Sequence, residues 1–343
     1  MNAKVLLISL AAIAGSTFLL FNLANQKTKS SLKLDATAEF FQFSNKFGKT
    51  YYSDSEMAYR KSIFAANLQK INAHNADSTQ TYKLGVNQFT DMTFNELKAK
   101  YLVNFPTVNG DAKCEKTATK ARVNVGDDNE VDWVKAGVVQ AVKDQAQCGS
   151  CWAFATAGAL ESAYAIFNKV AVPSISEQEL VDCSQDYGNN GCNGGLMSFA
   201  YDYILDHKIN SEEKYPYKGV DQKCKSKLKD HGDYTIKGCV QVESNVDGLV
   251  KSIRTQPVAI AFYVQDDFFS YTSGVYNPKK CNGQPNHGVL AVGFNLSDPV
   301  PYFYVKNSWN TTWGDNGFFK IAIGKGKGVC DTAGSGWNYY PTL

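Results

Sequence analysis

The sequence predicts an α+β fold in three parts: a helical pro-segment, a helical lobe and a lobe of β-strands. Three observations predict it. Glu56, Arg60, Phe64, Asn67, Ile71 and Asn75 fall within one arc of about 100° at 100° per residue, which marks a single face of one long helix. Residues up to about 235 carry further helical patterns. From Val240 on, short apolar stretches at 258–264, 288–294, 302–306 and 317–323 are punctuated by Gly and Asn, as in a β-sheet or barrel.

In chain order, Lys4 precedes an apolar run over 5–24, broken by Gly15-Ser16-Thr17. It resembles a secretory signal peptide over 1–24, with Ala12-Ile13-Ala14 as one cleavage signature. The run is also about as long as a bilayer crossing, so an uncleaved anchor is the alternative. Residues 25–126 read as the pro-segment. Its helix is followed by Gly85-Val86-Asn87-Gln88-Phe89-Thr90-Asp91 as a turn or short strand. Residues 103–128, rich in Asn, Gly, Lys and Asp, read as an extended, cleavable linker. The body, 127–343, divides at about 239/240. Its helical lobe holds a helix from Cys151 to about Lys169, one beginning at Ser176-Glu177-Gln178-Glu179 with capping-box spacing, and one over 196–205.

A chain of 343 residues is long enough for about two domains. Its net charge of +2 gives no reason to expect a nucleic-acid partner. The charge is segregated: residues 25–126 hold 15 Lys and Arg against 9 Asp and Glu, whereas 127–343 hold 19 against 24. A basic pro-segment docking on an acidic body, and loosening as carboxylates protonate, is the expectation; unchanged affinity between about pH 7 and 4.5 would refute it. Nine cysteines, an odd number in a chain read as secreted, leave at least one unpaired. Asn295-Leu296-Ser297 and Asn310-Thr311-Thr312 are sequons for N-glycans.

The chemistry concentrates in Gln145-Ala146-Gln147-Cys148-Gly149-Ser150-Cys151-Trp152. A helix starting at Cys151 offers partial positive charge and unpaired N–H groups, which favour a thiolate. Of four histidines, His74 lies in the pro-segment helix, His207 at a helix end and His231 in a charged stretch. His287, in Pro285-Asn286-His287-Gly288 before an apolar strand, is left as the candidate base. Asn307, in Val305-Lys306-Asn307-Ser308-Trp309, is the candidate to accept from the imidazole and fix its tautomer, with Trp309 covering that bond from water. Redox chemistry at Cys148 and Cys151, or zinc bound by Cys148, Cys151, Cys183 and Cys192, are the rival readings; neither explains His287 or Asn307.

With His and Asn at +136 and +156 from Cys151, Cys-Gly-Ser-Cys-Trp resembles the papain family of cysteine proteases. The spacing E-x3-R-x3-F-x2-N-x3-I-x3-N from Glu56 to Asn75, and Gly85-x-Asn87-x-Phe89-x-Asp91, resemble the inhibitory propeptide of its cathepsin L-like branch. The resemblance spans about residues 36–343. It implies a two-lobed fold, a helical left lobe and a β-barrel right lobe, behind a helical inhibitory propeptide. It implies a monomeric zymogen without cofactor or metal, acting on proteins and peptides, destined for a lysosome, a vacuole or the extracellular space. Cys151 becomes the nucleophile, His287 the acid and base, Asn307 its orienting group and Gln145 the oxyanion donor. The implied disulfides are Cys148–Cys192, Cys183–Cys224 and Cys281–Cys330, which leaves Cys114 in the removable linker and Cys239 as a buried free thiol. Gly194 and Gly195 present backbone to the substrate; Leu196, Met197, Ala261, Pro285 and Gly288, with Ser335 at the base, line an S2 pocket that prefers a bulky apolar P2 residue; Trp309 stands beside the cleft.

Three positions depart from the pattern: Ala146, Asn310 and Asp331 each stand where the family has glycine, and the tail is about two residues longer. A catalytically dead binding protein would lack Cys151, His287 or Asn307, and all three are present. The short interval between Cys183 and Cys192 has no room for a histidine-bearing loop that would block one end of the cleft, which favours an endopeptidase over an exopeptidase.

Overall fold

A computed structural model describes residues 36–105, 113–116, 128–225 and 227–343. The signal run over 1–24 and most of the linker lie outside the described residues. The chain forms two compact units that meet between Lys70 and Ile71, inside a helix.

In the first unit, a helix over 36–46 (α1) precedes the opening turns of α2, Asp54–Ala76. Ser53 Oγ accepts from the Glu56 N–H and Glu56 Oε2 accepts from the Tyr52 N–H, satisfying donors that a helix start leaves free. Phe40 and Phe43, three apart on α1, meet Phe64 of α2 at ring-centroid distances of 5.6 and 4.9 Å. Tyr51 stacks on Phe40. Aromatic burial of this kind holds the short α1 against the longer α2 where propensity alone would not.

The second unit begins with the last turns of α2. Asn75 donates to the Leu84 carbonyl and accepts from its N–H, fixing β1, Tyr82–Leu84. Next comes α3, Phe94–Tyr101, started by a complete capping box between Thr93 and Glu96. Strands β2, Glu115–Lys116, and β3, Glu130–Asp132, lead to α4, Cys151–Asn168, which ends at Lys169 in the left-handed region. Then follow α5, Glu177–Cys183, and α6, Met197–His207. Ser176 caps α5 as its spacing predicts, but Glu179 does not close the box; it accepts instead from Tyr203 and Asn210. The last third holds β4, Gly238–Gln241; α7, Val246–Ile253; β5, Val258–Phe262; β6, Tyr271–Tyr276; β7, His287–Asn295; β8, Tyr302–Lys306; β9, Phe318–Ala322; and β10, Tyr339–Thr342. Among the described residues the strands form one sheet in the order β1-β6-β9-β8-β7-β5-β10-β4-β2, with β3 added beside β7.

Two cores lie on the two faces of β5 and β7. Val258, Ile260, Phe262, Val289 and Ala291 belong to the core of the β lobe; Ala259, Ala261, Leu290 and Val292 belong to that of the helical lobe. This is the two-residue period of a strand, and it explains why both strands read as unbroken apolar runs. Small residues bring α4 close: a Cβ at Gly158 would lie 3.0 Å from Leu290 Cδ2, and one at Gly288 would lie 3.2 Å from the Trp152 nitrogen. Lys143 ties α4 to α5 by pairing with both Glu161, at 2.8 Å, and Glu177, at 2.7 Å.

Disulfides join Cys148–Cys192, Cys183–Cys224 and Cys281–Cys330. Cys239 is not the expected free thiol. It is bonded to Cys114, 125 residues earlier, and β2 runs parallel to β4 beside this bond. Lys113 adds a backbone donor to Asp202 and an ion pair to Asp206 at 3.0 Å. Backbone cleavage alone therefore does not release this part of the linker. Charge contacts run both ways, since Asp77 of the pro-segment faces Lys279 at 3.8 Å. Among the described residues no helix is long and apolar enough to cross a membrane.

Candidate active site

Cys151 is the first residue of α4 and is fully buried. The loop before it admits little variation. Cys148 is bonded to Cys192, and the Gly149 N–H donates to the Cys192 carbonyl at 2.9 Å. A Cβ at Gly149 would lie 2.5 Å from that same carbonyl oxygen, so only glycine fits. Cys151 is the one cysteine outside a disulfide among the described residues.

His287 opens β7, opposite Phe262 of β5, and is buried. The next N–H, of Gly288, donates to Cys151 Sγ at 3.3 Å, which sets the thiol one residue from the imidazole. His287 Nε2 lies 2.8 Å from Asn307 Oδ1, which also accepts from the Ser308 N–H. With Nε2 donating to Asn307, Nδ1 is the basic nitrogen, and it has no hydrogen-bond partner. Trp309 stacks on the imidazole with centroids 4.6 Å apart, and its indole N–H donates to Gln145 Oε1 at 3.1 Å. Ser308 Oγ donates to the same oxygen, so both donors fix the Gln145 amide, whose nitrogen donates to the Cys148 carbonyl at 2.9 Å. Phe269 and Phe89 cover the far side of Trp309.

Residues of the pro-segment fill the space in front. Gln145 Nε2 donates to the Tyr101 carbonyl at 3.2 Å, and the Val103 N–H donates to the Asn286 carbonyl at 2.9 Å. Val103 lies against Gly149 and Gly194, where Cβ atoms would approach it to 2.9 and 3.2 Å. Gln88 donates to the Trp309 carbonyl, and Asn87 to that of Phe269. Under this cover, burial pushes the Cys151 thiol up to about 12 and the His287 imidazole down to about 4. Both groups are therefore neutral at pH 7, not the ion pair that a solvated thiol at a helix start would form.

The remaining sequence candidates divide. Gly194 lies against Val103 at φ +121°. Gly195 instead makes room for Trp152 and Asn189, with a Cβ there meeting Asn189 Oδ1 at 2.4 Å. Leu196, Met197 and Ala261 are buried, as are Pro285 and Gly288. Ser335 is half-buried and accepts from the Trp337 N–H. Asn295 accepts from the N–H groups of Ser297 and Asp298, while Asn310 is exposed. Sequence reasoning missed Asn286, whose side chain also bonds both ways with Val264, and Tyr217, whose hydroxyl links Ser150 and the Gln145 carbonyl. Asn286 was visible beside His287; nothing local in the sequence points to Tyr217.

Residues 128–337 match the family model described as papain family cysteine protease, and residues 40–97 match the cathepsin propeptide inhibitor domain. Pro-cathepsin H of Bos taurus is 42% identical over 296 residues, covering 82% of this chain and 84% of that protein. Thiol protease aleurain of Arabidopsis thaliana is 41% identical over 292 residues, covering 83% and 80%. The solved structure of digestive procathepsin L2 proteinase from the Tenebrio molitor larval midgut superimposes with a TM-score of 0.81 at 34% identity, covering 90% of this chain and all of that one.

Proposed function

The chain belongs to the papain family of cysteine proteases and carries a cathepsin propeptide inhibitor domain, and on that premise we propose a cysteine endopeptidase made as a zymogen, working through a thioester and preferring a bulky apolar P2 residue. The observation that carries this reading is the approach of the Gly288 N–H to Cys151 Sγ at 3.3 Å together with the 2.8 Å contact between His287 and Asn307. They put one thiol and one oriented imidazole at a helix N-terminus.

Once the pro-segment leaves, water returns to the cleft and the desolvation that keeps the pair neutral is relieved. The thiol proton passes to His287 Nδ1, and the thiolate is favoured by the start of α4. Sγ attacks the substrate carbonyl carbon, and the oxygen takes the negative charge between Gln145 Nε2 and the Cys151 N–H. The C–N bond breaks as Nδ1–H protonates the departing amine, leaving a thioester. Water then attacks the thioester, giving its proton to Nδ1; the acid departs and the thiol is restored. Asn307 keeps Nε2–H in place throughout, so Nδ1 alone exchanges the proton.

The pro-segment inhibits by occupying the oxyanion donor and the substrate strip with Tyr101 and Val103. Among the described residues the interval between Cys183 and Cys192 holds only a short turn at 185–187 and the start of another at 191–193, with no inserted loop, which favours internal cleavage. Four disulfides suit an oxidising route, through the secretory pathway to a lysosome, a vacuole or the exterior. Acid maturation of wild type and Cys151→Ala, followed by assay on peptides with P2 Leu, Phe and Arg, tests the reading. Wild-type activity on apolar P2 with an inert alanine variant is expected; an active alanine variant, or faster cleavage after P2 Arg, contradicts it.

A further inference from the structure

Tyr217 joins the two ends of the loop that carries both oxyanion donors. Its hydroxyl has one proton, which it donates to the Gln145 carbonyl at 2.8 Å. The 2.6 Å contact with Ser150 Oγ is therefore a bond that Ser150 donates and Tyr217 accepts. Gln145 supplies the side-chain donor to the oxyanion, and Ser150 directly precedes Cys151, whose N–H is the other donor. Burial pushes the Tyr217 hydroxyl up, so it keeps the proton that the relay needs.

The phenol is itself held from several directions. The Tyr217 N–H donates to Glu212 Oε1 at 2.7 Å, and its ring meets that of Phe154, on α4, edge-on at 4.9 Å. The next N–H, of Lys218, donates to Gln178 Oε1 at 2.7 Å. A Cβ at Gly219 would lie 3.1 Å from Ala146 Cβ, so glycine there leaves room for the alanine methyl. On the loop side, the Gln145 N–H donates to the Ser308 carbonyl and the Ala146 N–H to Asp144 Oδ1, both at 2.9 Å. Left-handed Ala146 turns the backbone just after Gln145, and the Tyr217 hydroxyl meets the carbonyl at that turn. Removing the hydroxyl takes away that carbonyl's donor and the acceptor of the buried Ser150 at once.

We propose that Tyr217 is a positioning residue for peptide hydrolysis, setting the separation between the Gln145 amide and the Cys151 N–H and so their fit to the oxyanion. This deepens the protease reading and rests on it. Tyr217 acts through Gln145 and Ser150 rather than on the substrate. Both donors must meet an oxygen whose charge grows only as the carbonyl becomes tetrahedral, so a misplaced donor weakens the transition state more than the bound substrate.

The experiment measures kcat and KM on one peptide amide for matured wild type, Tyr217→Phe, Gln145→Ala and the double variant, each normalised by titration of Cys151. It also measures the rate at which iodoacetamide alkylates Cys151, a displacement of iodide that develops no oxyanion. Tyr217→Phe keeps the ring and is expected to lower kcat by about five- to thirty-fold, with KM changed by less than about two-fold. Its alkylation rate is expected to stay within about two-fold of wild type, and in the Gln145→Ala background it should cost less than about two-fold more. Losses that multiply, a loss confined to KM, or alkylation slowed in step with hydrolysis overturns the Tyr217 assignment. Should Tyr217→Phe not fold, Ser150→Ala cuts the same relay: a kcat loss that vanishes beside Gln145→Ala is expected, and one that multiplies overturns the proposal. Gln145→Ala as active as wild type removes the oxyanion reading and this inference with it. Full activity of Tyr217→Phe beside a slow Gln145→Ala removes the Tyr217 assignment alone.

Discussion

Gln145 Nε2 donates to the Tyr101 carbonyl at 3.2 Å, so the amide assigned to a developing oxyanion already holds a carbonyl of the pro-segment. Its Oε1 is fixed by Ser308 and Trp309, which leaves the amide nitrogen little freedom to turn away. Gln145→Ala is expected to lower kcat of the matured enzyme by about 10²–10³. Gln145→Glu, which keeps the acceptor oxygen and loses the donor, should act in the same direction. A loss confined to KM would contradict an oxyanion role.

Burial lowers His287 from 6.5 to about 4 in the zymogen, so the folded chain refuses a proton that the unfolded chain accepts. Stability from this group is complete above about pH 6.5 and is lost as pH falls toward 4, by on the order of 3 kcal/mol. Melting temperatures of the Cys151→Ala zymogen, which cannot digest itself, should fall over that window. The Cys151→Ala, His287→Gln double variant should fall less; equal slopes would remove His287 from the account.

All three departures from glycine in this family fall at positive φ: Ala146 at 51°, Asn310 at 64° and Asp331 at 63°. Asn and Asp tolerate this region; alanine does so least readily of the three. Ala146→Gly is therefore expected to raise stability by about 0.5–1 kcal/mol, read from denaturant midpoints at unchanged slope. A destabilised glycine variant would contradict the strain.

The bond between Cys114 and Cys239 makes a thiol count decisive. Unreduced, denatured zymogen should titrate one thiol per chain, that of Cys151. Three thiols would mean that Cys114 and Cys239 are free.

Legibility followed burial. Strands β5 and β7 are packed on both faces, so their apolar runs stood out, as did α4 with nearly every residue buried. Elimination among four histidines singled out His287, whereas Asn307 was legible only together with Ser308 and Trp309 through the family resemblance, asparagine being common in turns. Strand β6 was missed: Thr272, Ser273 and Gly274 are not buried, and its partners, β1 and β9, are far away in sequence. Helix α7 was legible and still missed, with Asn245 capping it and Val246, Leu249, Val250 and Ile253 at helical spacing. The bond between Cys114 and Cys239 closes over 125 residues, and no spacing rule reaches that far. Nor does composition show that burial at a helix start pushes the Cys151 thiol up.

Alkylation of Cys151 by iodoacetamide at pH 6, before and after maturation, tests the central claim most directly. Slow labelling of the zymogen is expected, then fast labelling of the matured enzyme at Cys151 with activity lost in proportion to the label. A matured enzyme that still hydrolyses peptides with Cys151 fully alkylated would contradict the account.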